Sequence, residues 1–318
     1  MAFTKLPNEI IPSDNFKLNK VNIIKPSKSD KIFDIINNLF MVMAALIVLY
    51  PLYFVLIASI SSPEAVNSGK VIWFPIGISL EGYKKLFEDS RIFLGYKNSL
   101  FYTVLGTTLN CILTLITAYP LSIKELRGRR MLLGYFIFTM FFNGGLIPTF
   151  ILVNDIGLYD TPWILIIMGA INIFNMIIAK SFFENSIPGE LREAAEIDGC
   201  GRFRFFISIV LPLSKALIGV LVVYYGVAHW NQFFNALIYI SDEKLRPLQM
   251  VLREILIQNS MTQMVYDESM MEELMRRERY AELIKYGVIV VASLPVLCLY
   301  PFVQKYFTKG VMLGSVKG

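Results

Sequence analysis

Charged residues are missing from six long stretches of this 318-residue chain, 35–60, 98–123, 131–154, 161–179, 216–240 and 286–304. A bilayer core about 30 Å thick takes roughly 20 helical residues, and one charge at mid-helix costs about 2.5–3.5 kcal/mol on insertion scales. Six clean stretches, with 55% hydrophobic and 17% charged residues overall, exclude an ordinary soluble domain. Histidine and cysteine are also scarce. His229 stands alone, and Cys111, Cys200 and Cys298 have no C-x-x-C spacing, so neither a disulfide framework nor a metal site is indicated. No G-x-x-x-x-G-K-[ST], H-E-x-x-H or G-x-S-x-G pattern occurs, which removes the usual carriers of enzymatic chemistry. The apolar stretches also lack the ionisable groups expected of an ion-coupled transporter. The first 31 residues are polar and basic, without a cleavable signal pattern.

The charges that are present sit between the stretches, and their placement predicts topology. With the N-terminus inside, short inner segments hold Lys124, Arg127, Arg129 and Arg130, then Lys180, Arg192, Arg202, Arg204 and Lys215, and finally Lys305, Lys309 and Lys317. Outer segments hold Lys70, Lys84, Lys85, Arg91 and Lys97, none between the third and fourth spans, and seven basic residues between 241 and 285, in longer loops. Short inner loops dense in Lys and Arg fit the positive-inside rule. The expectation is an all-α, multi-pass cell-membrane protein with both termini cytoplasmic. Residues 1–31 form a cytoplasmic tail and 32–318 a membrane domain, with spans near 35–60, 98–123, 131–154, 161–179, 210–240 and 286–304.

Local signals refine this reading. Pro51 should kink the first span, and Trp73-Phe74-Pro75 should form an interfacial turn. Leu80, Tyr83, Leu86 and Phe87 recur at helical spacing among charges, predicting a short amphipathic helix on the surface. Gly144-Gly145 followed by Pro148 predicts a broken third span. Arg246-Pro247-Leu248-Gln249 opens a segment with Leu252, Ile255 and Leu256 on one face, and Glu272–Arg276 and Glu273–Arg277 are i,i+4 pairs of a helix leading into the sixth span.

The segment 190–212 is the most informative. Glu193-Ala194-Ala195, Gly199 after three residues, Ile209 after nine more and then Leu211-Pro212 predict a helix–turn–helix. Pro188 suits a first helical turn, Ala194 and Ala195 permit close approach of another surface, and Gly199 can take positive φ and stop the first helix. Glu193, Glu196 and Asp198 remain for pairing or capping. This pattern resembles the EAA loop of ABC importer permeases, the cytoplasmic element that meets the ATPase. Phe142–Pro148, Gly157-Leu158-Tyr159-Asp160-Thr161, the 229–239 segment, Pro247-Leu248-Gln249 and the 309–318 tail extend the resemblance to the carbohydrate-uptake class, within it to polysaccharide- and complex-oligosaccharide-type permeases of the maltose-permease superfamily. Cys200 stands where that family usually has Ala.

The resemblance implies a non-catalytic subunit with several partners. These are a homologous second permease, a cytoplasmic ATPase dimer that uses ATP and Mg, an external solute-binding protein, a carbohydrate cargo and the surrounding lipid, with no cofactor on this chain and no nucleic acid. Glu193, Ala194, Ala195, Asp198, Gly199, Leu211 and Pro212 are the implied coupling residues. Amides within apolar context, Asn143, Asn172, Asn175, Asn231, Gln232 and Asn235, serve either interhelical hydrogen bonding or a sugar pathway. Asn143, Tyr224, Tyr225 and Asn231 are the pathway candidates, and spans without Lys or Arg predict an uncharged or weakly charged oligosaccharide. His229 reads as structural rather than as a proton relay. The alternatives are an importer of the same architecture for a non-sugar solute, or an ion-coupled transporter.

Overall fold

The computed structural model describes residues 27–261 and 284–298, and every described element is helical. The tail before residue 27, the pairs Glu272–Arg276 and Glu273–Arg277, the end of the sixth span and the 309–318 tail lie outside the described residues. The chain divides between Leu52 and Tyr53 into two compact units. The first is carried by most of α1 (Lys28–Ser59), whose Ile32, Ile35, Leu39, Leu46 and Leu49 are all exposed. An uncovered apolar helix of this length, about 48 Å at 1.5 Å per residue, is suited to lipid. The helix runs through Pro51 without a break.

The second unit is built around α4 (Ser90–Ser122), the other long apolar helix. Its buried face runs Gly95, Ser99, Tyr102, Gly106, Asn110, Thr114 and Ala118, mostly small residues at three- and four-residue steps. In lipid there is little hydrophobic drive between helices, so small residues that admit a neighbouring backbone hold the bundle together. A Cβ on Gly95 would lie 3.0 Å from Leu248 Cα, which shows how closely α14 (Leu248–Met261) approaches. Side chains of α4 also satisfy backbone groups of the 244–248 loop. Asn98 Nδ2 donates to the Lys244 carbonyl at 2.7 Å, Tyr102 Oη to the Leu245 carbonyl at 2.8 Å, and Ser99 Oγ accepts from the Leu248 N–H at 2.8 Å.

The remaining apolar stretches are interrupted. The third is α5 (Arg129–Phe141) and α6 (Leu146–Asp155), bent by 110° at a break over 142–145. Gly145 has φ +84°, and Asn143 Oδ1 accepts its N–H at 3.1 Å, so the Gly-Gly pair supplies the break. The stretch expected as one span over 161–179 is α7 (Pro162–Ile167) and α8 (Ile173–Ser186). Gly169 at φ +73° turns the chain there, and Asn172 caps α8 by accepting the Asn175 N–H. That break was unexpected, because an isolated Gly and a capping Asn also fit inside an apolar helix. The 210–240 stretch is likewise three pieces, α11 (Leu211–Leu213), α12 (Lys215–Trp230) and α13 (Phe234–Tyr239). The last apolar stretch is helical over Ile284–Cys298, here α15. Among the described residues, two helices are therefore long and apolar enough to cross a membrane, or up to four if each bent pair counts as one.

The short α2 (Pro63–Asn67) and α3 (Glu81–Glu88) lie between α1 and α4. The amphipathic helix is where its spacing placed it, but it is docked rather than free on the surface. Leu86 is buried with Ile92 and Val288, and Tyr83 Oη donates to Ser59 Oγ at 2.8 Å.

Candidate coupling loop and translocation cavity

The 188–212 loop is shaped by backbone hydrogen bonds within a dozen residues. Helix α9 (Gly189–Ile197) starts after Pro188, which takes the capping position rather than the first turn. At its end the Cys200 N–H donates to the Ala195 carbonyl at 2.8 Å and the Gly199 N–H to the Glu196 carbonyl at 3.1 Å. That is a Schellman stop, and it needs a left-handed residue at its turn. Gly199 occupies that position with φ +73°. The chain then re-enters helix as α10 (Arg202–Phe205), passes through a wide turn over Phe206–Val210 and into Leu211–Leu213, and bends by 81° into α12.

The two alanines divide their work. Ala195 is buried, whereas Ala194, Glu193 and Asp198 face outward, as do Ile197 and Phe203, 86% and 73% exposed. A Cβ built on Gly189, Gly199 or Gly201 would meet nothing within 4 Å. The outer face is thus apolar, acidic and open. Leu211 is half-buried and Pro212 exposed at the far end of the loop. Phe203 was not singled out from the sequence, because a single aromatic between two arginines carries no periodicity. Behind the loop lies a cavity of about 760 Å³ lined by Tyr119, Ile123, Arg127, Glu193, Cys200 and Phe205 among others. Arg192 Nη2 reaches Glu125 Oε2 at 3.1 Å across it, which ties α9 to the 123–128 turn. Glu125 is held below the usual carboxylate range by a hydrogen bond from its own backbone and by Arg192. Deeper in, Glu184 pairs with both Arg129 and Lys180.

A second cavity, of about 460 Å³, is rich in amides. Asn110, Asn172, Asn175, Gln232 and Asn235 line it, with Tyr224, Tyr225 and His229. Tyr225 Oη lies 2.6 Å from Thr114 Oγ1 and accepts the Asn172 N–H at 3.2 Å, so it pins the 168–172 break to α4. Asn110 Nδ2 lies 3.1 Å from His229 Nε2, and the imidazole packs where a Cβ on Gly106 would be. His229 is therefore fixed by packing and an amide. Asn110 Oδ1 and Thr107 Oγ1 are buried with no protein partner, leaving acceptors and a hydroxyl beside the cavity.

Of the four pathway candidates, Tyr224 and Tyr225 line this cavity and Asn143 and Asn231 do not. Asn143 serves the break before α6, and Asn231 Nδ2 donates to the Val227 carbonyl at 2.9 Å. Asn110 was missed from the sequence. Its signal is an amide in the small-residue stripe of α4.

Comparison with known proteins agrees with this geometry. The model of the family described as binding-protein-dependent transport system inner membrane component matches residues 23–313. The polygalacturonan/rhamnogalacturonan transport system permease protein YtcP of Bacillus subtilis is 43% identical over 289 residues, 91% of this chain and 99% of that protein. Protein LplC of the same organism is 40% identical over 299 residues, 94% and 99% of the two chains. A crystal structure of a bacterial ABC transporter involved in the import of the acidic polysaccharide alginate contains a chain that is 33% identical and superposes with a TM-score of 0.78, covering 88% of this chain and 98% of that one. The chain therefore belongs to the family of binding-protein-dependent transport system inner-membrane components, the permeases of ABC importers.

Proposed function

We infer that the chain is one of two membrane halves of an ATP-driven importer of oligosaccharides released from polysaccharides. In this reading six spans cross the cell membrane with both termini inside, and the 188–212 loop is the EAA element seated in a dimeric ATPase. ATP and Mg are used by that ATPase, and no chemical step falls to this chain. A homologous permease closes the pathway, and an external binding protein hands over the sugar. The names of the relatives support the cargo class.

The observation that carries the mechanism is a single packed cluster. It joins Ala195, Phe205 and Val210 of the loop to Leu115 and Ala118 of α4, Phe183 of α8, and Leu221 and Tyr225 of α12. Close-packed interiors transmit displacement rather than absorb it. A push on α9 therefore reaches Tyr225, and through it the break that lines the amide cavity. Amides and aromatic faces hold hydroxyls by bonds worth about 0.5–1.5 kcal/mol net each, weak enough for release.

Two measurements test this. Cys200 should react with an impermeant thiol reagent only from the cytoplasmic side, and Ser68→Cys, at an exposed position, only from outside. Reconstituted with its partners, the complex should take up oligosaccharide only when ATP is hydrolysed. Uptake that persists with an inactive ATPase and a maintained ion gradient would remove the reading.

A further inference from the structure

The amide cavity poses a problem for acidic cargo. The polymers named for YtcP and for the alginate importer carry sugar carboxylates, yet the residues lining this cavity include no Lys or Arg. A cation close to its rim would hold a carboxylate more strongly than neutral amides do.

Among the described residues, two of the three guanidinium groups near the outer segments are already neutralised. Arg91 is bound to Asp89 at 2.7 Å, and Arg246 sits between Glu243 at 3.2 Å and Glu254 at 3.1 Å. Arg253 differs. It is exposed on α14, its Cζ lies 5.1 Å from the centre of the Phe233 ring, and no described carboxylate lies within ion-pair distance of it. Phe233 occupies the break between α12 and α13. It directly follows Gln232 and precedes Asn235 by two residues, both of which line the cavity. A ring beneath a guanidinium steadies it without using up an anionic partner, and a steadied guanidinium matches a carboxylate with two parallel N–H groups.

We propose that Arg253, braced on Phe233, is a carboxylate-binding subsite at the rim of the translocation cavity, selecting oligosaccharides that contain uronate residues. This rests on the carbohydrate reading above and adds the charge of the cargo to it. It departs from the expectation of an uncharged or weakly charged oligosaccharide, which came from spans free of Lys and Arg. Arg253 lies beyond those spans, where an inventory of the spans does not reach.

The test uses the complete transporter in proteoliposomes, with its own binding protein, and two probes. One is a short oligogalacturonate and the other is its methyl ester, equal in length and hydroxyl pattern but uncharged. Because the binding protein is the same throughout, a change in the acid-to-ester uptake ratio originates in this chain. Arg253→Gln should lower that ratio roughly tenfold, the scale of one charge-assisted hydrogen-bonded contact. Arg253→Lys, which keeps the charge but not the fork, should lower it less, and Phe233→Leu should lower it by removing the brace. An Arg253→Gln ratio equal to wild type overturns the proposal, as does an equal loss of both probes, which would make Arg253 a purely structural brace. A wild-type transporter that carries the ester but not the acid overturns this proposal and leaves the carbohydrate reading standing. One that carries neither probe, nor any other oligosaccharide, overturns both.

Discussion

The coupling loop and the amide cavity are built in opposite ways. The loop turns apolar side chains outward, with Ile197 and Phe203 uncovered, and its turn is closed by its own backbone. The cavity turns polar side chains inward, and they come from α4, α8, α12, α13 and the breaks beside them. An exposed apolar face in an otherwise charged loop calls for a protein surface, since patches of that kind mark interaction sites. Buried amides with an unpartnered oxygen call for hydroxyls or water. One region is a local backbone device with an open apolar face. The other is a polar site assembled from several helices.

The largest expected effect strikes the loop. Gly199→Leu puts a side chain at φ +73°, where an L residue loses roughly 1–2 kcal/mol. The Cβ itself has open space, so the chain should still insert and assemble. ATP-dependent uptake should be lost, because the turn and the outer face are both disturbed. Gly199→Asn, which tolerates the left-handed region, should keep most of it. If uptake with Leu equals that with Asn at matched membrane levels, the turn is not what couples the loop.

Next in size is a strike on the cavity wall. Gly106→Val drives a branched side chain into the His229 ring. Overpacking typically costs about 1–3 kcal/mol, while the helix-propensity gain over Gly stays below about 1 kcal/mol. Thermal unfolding in detergent should show the loss, and adding His229→Ala should recover much of it. No recovery in that double variant would mean that the histidine is not the obstacle.

A smaller effect separates the cavity residues from their neighbours. Tyr224→Ala and Tyr225→Ala should lower oligosaccharide uptake from a fewfold to tenfold, the scale of one or two hydrogen bonds. Asn143→Ala and Asn231→Ala should do less, since neither lines the cavity. Equal losses at all four positions would place the pathway elsewhere, across the interface with the second permease.

This contrast also explains what could be read from the chain beforehand. The loop was legible because its cause is local. Gly199, the alanine pair and Leu211-Pro212 act within one short segment, and the helix–turn–helix they imply is the one observed. The same holds for the Gly144-Gly145 break. The cavity was legible only in part. Tyr225 and the amides of 172, 175, 232 and 235 declared themselves as polar groups in apolar runs, but nothing local says which of them converge. Asn143 and Asn231 are amides of the same kind that face other tasks. Asn110 and the break at Gly169 depend on how α4, α8 and α12 pack against one another, which no single stretch encodes.

The smallest expected effect lies at the start of α4, the helix both regions share. Asp89 caps it by accepting the Arg91 N–H at 3.0 Å and grips the Arg91 guanidinium with both oxygens. The hydrogen bond from Arg91 outweighs partial burial and holds the carboxyl below its ordinary value of 3.8. A carboxyl depressed in the folded state stabilises it at any pH above the unfolded value, and that contribution fades as pH falls through the depressed folded value. Asp89→Ala should therefore lower stability by about 1 kcal/mol at neutral pH, the usual worth of a cap. The gap to wild type should stay constant down to about pH 4 and close only below it. Asp89→Asn keeps a capping oxygen and removes the ion pair, so it should lose less, as a partly exposed pair is worth no more than about 1 kcal/mol. Uptake should survive both changes, since the cap touches neither the loop nor the cavity. A gap between Asp89→Ala and wild type that closes near neutral pH instead would assign the cap's strength to some group other than this carboxylate.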